Sequence, residues 1–164
     1  MICFNDCKLR KILGMDALDF KLLNELQRNA KQTNKQLSLK LGLSITAVFE
    51  RIRKLENDGV LKKYVALLDP QSVNRDFVVF CQIKLLQHSQ NNVVTFENEI
   101  SKLPEVLECY HTSGNYDYLL KVLVRDMHEF RAFMINKLTA INHIASTHSS
   151  FVINEVKQST VIPL

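Results

Sequence analysis

LSITAVFERIRKLENDG, residues 43–59, is the stretch that decides how this chain is organised. Ser44 can cap a helix, because its hydroxyl accepts one of the backbone N–H groups that a helix start leaves open. Gly59 can close the helix in the left-handed conformation that costs other residues more. Between them Ile45, Val48, Ile52 and Leu55 recur at helical spacing. At ~100° per residue these four fall within roughly 80° of arc, enough for one buried stripe. Thr46, Glu50, Arg53 and Lys54 project from the other side, with Arg51 and Phe49 at the margins. A short amphipathic helix with a hydrogen-bonding outer face suits the major groove, although an ordinary solvated helix has the same pattern.

The preceding residues favour the groove. Residues 17–29 predict a first helix with Leu18, Leu22, Leu23 and Leu26 on one face and Asp16 or Asp19 near its start. Thr33 or Asn34 can cap a second helix over 35–41, and Thr33 and Gln36 have capping-box spacing. Leu37, Leu39 and Leu41 are its expected apolar contacts, and Gly42-Leu43-Ser44 is then a three-residue turn into the third helix. Helix, Gly-containing turn and capped helix make a helix-turn-helix. Residues 60–66, VLKKYVA, are β-rich and basic, as a wing strand near a phosphate backbone would be.

Charge supports the same division. Residues 1–69 carry 13 Lys and Arg against 8 Asp and Glu, whereas residues 70–164 carry 8 against 9. A basic front half and a near-neutral back half point to nucleic acid at one end only. With 46% hydrophobic residues in 164, the chain can bury a core and is not expected to be disordered. Cys3, Cys7, Cys81 and Cys109 form no C-x-x-C pair, and no His or Cys pair completes a metal site around Cys3 and Cys7. Cys81 and Cys109 lie in apolar runs and are expected as buried thiols. No apolar run reaches the ~18 residues of a membrane span. Near the N-terminus, Lys8, Arg10 and Lys11 follow the apolar residues, the reverse of a secretory signal. The expected location is the cytoplasm.

Beyond the polar, proline-containing segment 68–76 the pattern changes. Residues 77–86 alternate as a strand, 92–102 carry Val93, Phe96 and Ile100 at helical spacing, and 106–113 and 118–124 are strands flanking Gly114-Asn115-Tyr116-Asp117. Asp126 and Glu129 cap a helix running to about residue 140, and 144–156 form the last strand. The order β-α-β-β-α-β is the ferredoxin-like split unit. Val78, Phe80, Leu119 and Leu123 make the second sheet face apolar as well. Two helices cover only one face, so a second copy of the chain is expected against the other.

No catalytic constellation is evident. The four glycines are a tail residue (Gly14), two helix ends (Gly42, Gly59) and a hairpin turn (Gly114), leaving none for a phosphate loop. In strand order 4-1-3-2, His111 and His148 occupy opposite edges, so neither a shared metal nor a Ser113–His148 pair forms within one subunit. The hairpin itself offers backbone N–H groups for a carboxylate and Asp117 for an ammonium, the two needs of a zwitterionic amino acid. The same residues also make an ordinary turn.

Leu18-Asp19-x-x-Leu22-Leu23, Leu43-Ser44-x-x-Ala47-Val48-x-x-Arg51-Ile52-x-x-Leu55-Glu56-x-x-Gly59-Val60, Pro104-Glu105-Val106-x-Glu108-Cys109-Tyr110 and Gly114-x-Tyr116-Asp117-Tyr118-Leu119-Leu120-Lys121-Val122 together resemble the Lrp/AsnC family of transcriptional regulators (leucine-responsive regulatory protein/asparagine-synthetase regulator). The resemblance covers about nine-tenths of the chain. It implies a winged helix-turn-helix joined to a ligand-sensing αβ domain, and dimers that associate further, often to octamers, with an amino-acid effector between dimers. The effector segments it implies match Ser113, Gly114, Asn115, Tyr116 and Asp117 together with Thr147, His148 and Ser149. Two positions depart from the family pattern: Asn115 replaces an aspartate, and Asn74 stands at a usual linker glycine, where asparagine tolerates the same left-handed geometry.

The expected protein is α+β: a tail over 1–15, a winged helix-turn-helix over 16–67, a linker over 68–76, and a ferredoxin-like ligand-sensing and oligomerisation domain over 77–164. Double-stranded DNA is expected to meet Ser44, Thr46, Ala47, Glu50, Arg51, Arg53, Lys54, Lys62 and Lys63. The expected function is an amino-acid-responsive, sequence-specific regulator of amino-acid metabolism genes, neither an enzyme nor a cofactor protein, acting as a homodimer and as an octamer of four dimers. The alternative is an RNA-binding or small-molecule-sensing αβ module.

Overall fold

A computed structural model describes residues 14–87 and 89–164. The Cys3 and Cys7 pair and most of the expected tail therefore lie outside the described residues. Three helices come first: α1 (Ala17–Arg28), α2 (Asn34–Leu41) and α3 (Ile45–Asn57). Local chemistry sets their ends. Asp16 accepts from the backbone N–H groups of Leu18 and Asp19 while the Asp19 side chain accepts from Asp16 N–H, a reciprocal box. Thr33 and Gln36 form a second such box, and Gly42 ends α2 at φ 67. Leu22, Leu23, Leu26, Leu37, Val48 and Leu55 are the core of this unit, with Met15, Leu41, Leu43, Ile52, Val60 and Leu61 packed against it. Met15, expected in the tail, is thus part of the core. Leu39 and Ile45 are corrections of the opposite kind, at 77% and 51% exposed. Leu39 is two residues from Leu37, about 200° round the helix, and cannot share its buried side.

The expected wing strand over 60–66 is not paired into a sheet. Val60 and Leu61 donate to the Leu55 carbonyl at the helix end, but a strand needs a partner ladder and none is present among the described residues of this unit. Tyr64, Val65, Leu67 and Leu68 are accordingly exposed.

A second compact unit spans Leu67–Val156. It contains β1 (Phe77–Leu85), α4 (Gln90–Ile100), β2 (Val106–His111), β3 (Tyr118–Val124), α5 (Met127–Phe133) with a π-helical turn continuing it (Met134–Leu138), and β4 (Ile144–Phe151). The sheet order β2-β3-β1-β4 is antiparallel throughout. This is the βαββαβ order read from the sequence, and His111 and His148 do lie on opposite edge strands. Val79, Cys81 and Ile83 of β1 join Leu120 and Val122 of β3, Phe96 and Ile100 of α4, and Phe130 and Phe133 of α5 in one core on one sheet face. Val78, Phe80, Leu119 and Leu123 on the other face are half-buried. Cys109 is a correction: Cys81 is buried, but Cys109 is exposed, because β2 is an edge strand.

β4 is shorter than expected. It stops at Phe151, with Val152 N–H still donating to the Val78 carbonyl; in this register the first β1 residue, Phe77, falls opposite Ile153, so nothing in β1 lies opposite 154–156. The final residues Lys157–Leu164 group with the helical unit and not with the sheet. There Gln27 forms a reciprocal pair with Ile162: its Nε2 donates to the Ile162 carbonyl at 3.0 Å and its Oε1 accepts Ile162 N–H at 2.7 Å. Asn74 adopts φ 53, the left-handed geometry anticipated at the linker.

Candidate DNA-reading helix and ligand turn

α3 is held at its start by Ser44, whose hydroxyl accepts Ala47 N–H at 3.1 Å. Ser44 is exposed and Ala47 half-buried, so both sit at the helix entrance. Its buried side is Val48 and Leu55. Thr46, Glu50, Arg53, Lys62 and Lys63 are exposed, and none has a side-chain hydrogen bond or ion pair among the described residues. They are the groups able to meet a ligand without first breaking a contact.

Arg51 differs from them. Its guanidinium lies 2.6 Å from Asp19 Oδ1 and 2.8 Å from Asp16 Oδ2, and the Asp19 side chain is only 2% exposed. Asp19 raises the Arg51 pKa, and Asp19 N–H together with Arg51 holds the Asp16 carboxyl below the usual carboxylate range. Arg51 therefore locks α3 to the start of α1. Lys54 donates to the Gly14 carbonyl at 2.6 Å. Phe49, left at the margin by the helical projection, is 48% exposed and flanks Arg53 one turn along.

In the second unit the β2–β3 turn is closed by Thr112 N–H on the Asp117 carbonyl at 2.8 Å and by the Thr112 hydroxyl on the Tyr116 carbonyl at 3.1 Å. Gly114 has φ 120, with nothing within 4 Å of where a Cβ would stand. The geometry suits glycine for its backbone alone. Asp117 binds the turn to β1: its N–H donates to the Ile83 carbonyl at 2.8 Å and its Oδ2 accepts Leu85 N–H at 2.7 Å. A cleft of about 360 Å³ opens here, lined by Gln82, Thr112, Ser113, Asn115, Tyr116, Tyr118 and Leu119.

The β4 residues expected beside this turn are divided by strand alternation. His148 pairs in register with Gln82, and its ring lies 6.3 Å from that of Tyr116. Thr147 and Ser149 pair with Ile83 and Cys81, which face the helix-covered core, and Ser149 Oγ is 3.6 Å from Cys81 Sγ. The structure thus brings His148 to the turn and places Thr147 and Ser149 on the opposite face. Gln82, Thr112, Tyr118 and Leu119 are lining residues the sequence reading missed, and Gly114 and Asp117 are not among the lining; the signal for Gln82 was a polar residue next after Phe80 on the apolar second face.

Among the described residues no cluster of three His, Cys, Asp or Glu side chains could hold a metal, and no helix is long and apolar enough to cross a membrane.

Residues 15–62 match the family model of the winged helix-turn-helix DNA-binding domain, and residues 78–162 match that of the Lrp/AsnC ligand binding domain. The chain is 40% identical to the leucine-responsive regulatory protein of Haemophilus influenzae over 151 residues, 92% of this chain and 91% of that one. It is 37% identical to the protein of the same name from Escherichia coli K12 over 154 residues, 94% of each chain. Among solved structures, an AsnC family transcriptional regulator from Agrobacterium tumefaciens superposes with a TM-score of 0.87 at 40% identity, covering 91% of this chain and 97% of that one. A transcriptional regulator from Neisseria meningitidis, solved as its L-Met complex, gives 0.86 at 34% identity, covering 91% and 96%. Matched along both units and at these identities, the chain belongs to the Lrp/AsnC family of transcriptional regulators, with a helix-turn-helix that binds DNA and an αβ domain that binds ligand.

Proposed function

We propose that this regulator binds a free amino acid at the β2–β3 turn and that occupancy changes its hold on operators of amino-acid metabolism genes. The observation that carries the reading is the cleft at Ser113, Asn115 and Tyr116, which sets turn N–H groups beside the polar side chains of Gln82 and Thr112; Asp117 belongs to the same turn but is not among the lining residues. Turn N–H groups suit the ligand carboxylate. Asp117, the acidic residue of the same turn, suits the ammonium by charge. His148 and Gln82 border the side-chain end. Asn115 in place of an acid favours a neutral or acidic ligand over a basic one, and the L-Met complex of the Neisseria relative fits a neutral one.

Thr46, Glu50 and Arg53 read base edges in this account, Lys62 and Lys63 meet phosphates, and Ser44 and Ala47 set the helix entrance. The half-buried outer sheet face at Val78, Phe80, Leu119 and Leu123 meets a second copy, and four such dimers make an octamer with the cleft between dimers. A ligand can alter DNA binding only through unequal affinity for two states, so occupancy and assembly are coupled.

A genome-wide binding profile of the tagged protein, with and without amino-acid supplementation, tests the function. Enrichment at amino-acid metabolism genes that changes on supplementation is expected. A profile without discrete sites, or one indifferent to every amino acid, would contradict it.

A further inference from the structure

Phe49 poses a problem that the hydrogen-bonding face of α3 does not resolve. It is 48% exposed on the fifth residue of the helix, and its ring pairs with no other aromatic ring among the described residues. It is also absent from the side chains packed on the core of Val48 and Leu55. Single exposed apolar residues are ordinary on protein surfaces. This one, however, stands between Ile45 and Arg53 in a row at i, i+4 and i+8, within the half of the helix that reaches base edges. Ile45 is exposed too, at 51%. Arg53, Thr46 and Glu50 beside them are polar and have no side-chain partner among the described residues, so the apolar pair is embedded in the surface proposed to meet the groove floor.

Resting on the DNA-binding reading above, we propose that Phe49 is a specificity-determining residue that packs on the 5-methyl group of a thymine. The major groove presents one apolar feature to a protein, and that methyl is it. The donors and acceptors of the groove floor are groups that a phenyl ring would desolvate without return. The basic Arg53 beside the ring directs this surface to nucleic acid and not to an apolar protein partner. Four residues of helix rise ~6 Å, somewhat under two base-pair steps of ~3.4 Å. The thymine therefore lies within about two base pairs of the position whose preference depends on Arg53.

The test is a two-by-two cycle on full-length protein. Wild type selects a duplex from a random-sequence library, and that duplex is resynthesised with each thymine replaced in turn by deoxyuridine, which lacks only the methyl. At one thymine per half-site, wild type should bind the uracil duplex about fourfold more weakly, the factor corresponding to one methyl-sized group of ~0.8 kcal/mol. F49A should bind the thymine duplex at least that much more weakly and show no further loss on uracil, while F49L keeps most of the discrimination. Equal binding of wild type to both duplexes at every position would overturn the proposal, as would F49A still discriminating fourfold. So would an F49A that discriminates normally but sediments as a smaller species, since the ring would then serve a second copy. If wild type selects no sequence at all, the DNA-binding reading fails before Phe49 is reached.

Discussion

Arg51 and Arg53 sit two residues apart on the same helix and do different work. Two turns of sequence reading place both near DNA, since both are cations on the same amphipathic segment. Only the structure shows that Arg51 is spent on Asp16 and on the buried Asp19. Removing the Arg51 charge would strand the Asp19 carboxylate. Arg51→Met should cost about 2–3 kcal/mol in urea unfolding, below the ~3–5 of a fully buried pair because the guanidinium stays a quarter exposed. Arg53→Ala should leave stability within ~0.5 kcal/mol, yet cost ~1–3 kcal/mol in DNA binding and relax the preference at one base. A variant Arg53→Ala that matched wild type in both affinity and preference on gel shifts would show the reading face to be misplaced. The salt bridge was invisible in the sequence because its partners are 32 and 35 residues away, whereas the Thr33 and Gln36 box, three residues apart, was legible.

At the scale of elements, what could be read was what is local. Helix ends followed from Asp16, Thr33, Ser44 and Gly42, and strand order followed from alternation and turn residues. What could not be read was where pairing stops. Residues 152–156 follow β4, but in its register only Val78 and Phe77 remain opposite Val152 and Ile153, and β1 has no residue opposite 154–156. Residues 60–66 have strand composition without a ladder, and composition alone does not supply one. The same alternation that made β4 recognisable also separates His148 from Thr147 and Ser149, a consequence available once the register with Gln82 is known. The segment after α3 nonetheless keeps its basic character. Lys62→Ala should weaken binding to all DNA sequences alike and reduce the salt slope by about one, the signature of a lost phosphate contact. A sequence-selective loss, measured by titration at several salt concentrations, would assign Lys62 to base reading instead.

For the whole molecule, the sheet unit carries its own acid sensitivity. Glu129 accepts two bonds of 2.8 Å from Arg75 Nη1 and one of 2.7 Å from Arg125 N–H. The Arg125 backbone N–H, then Arg75, bring its pKa down from 4.5 to about 2. A carboxyl whose folded pKa is depressed stabilises above its unfolded value and loses that contribution as pH falls through the folded one. The stability advantage of wild type over Glu129→Gln should therefore be full at pH 6 and shrink from about pH 4.5 toward 2, read from unfolding midpoints. An advantage independent of pH would place the effect in packing. The β2–β3 turn poses the larger question, because Asp117 holds the turn to β1 and is also the carboxylate proposed to meet the ligand ammonium. Asp117→Ala would disturb both roles. Asp117→Asn keeps an acceptor for Leu85 N–H and removes the charge. The most direct test of the account is a titration of the selected operator duplex with full-length protein, repeated with each of the twenty amino acids at millimolar concentration and then with Asp117→Asn. At least one neutral or acidic amino acid should shift the wild-type midpoint severalfold and leave the Asp117→Asn midpoint unmoved. A wild-type midpoint that no amino acid shifts, or an equal shift in Asp117→Asn, would contradict it.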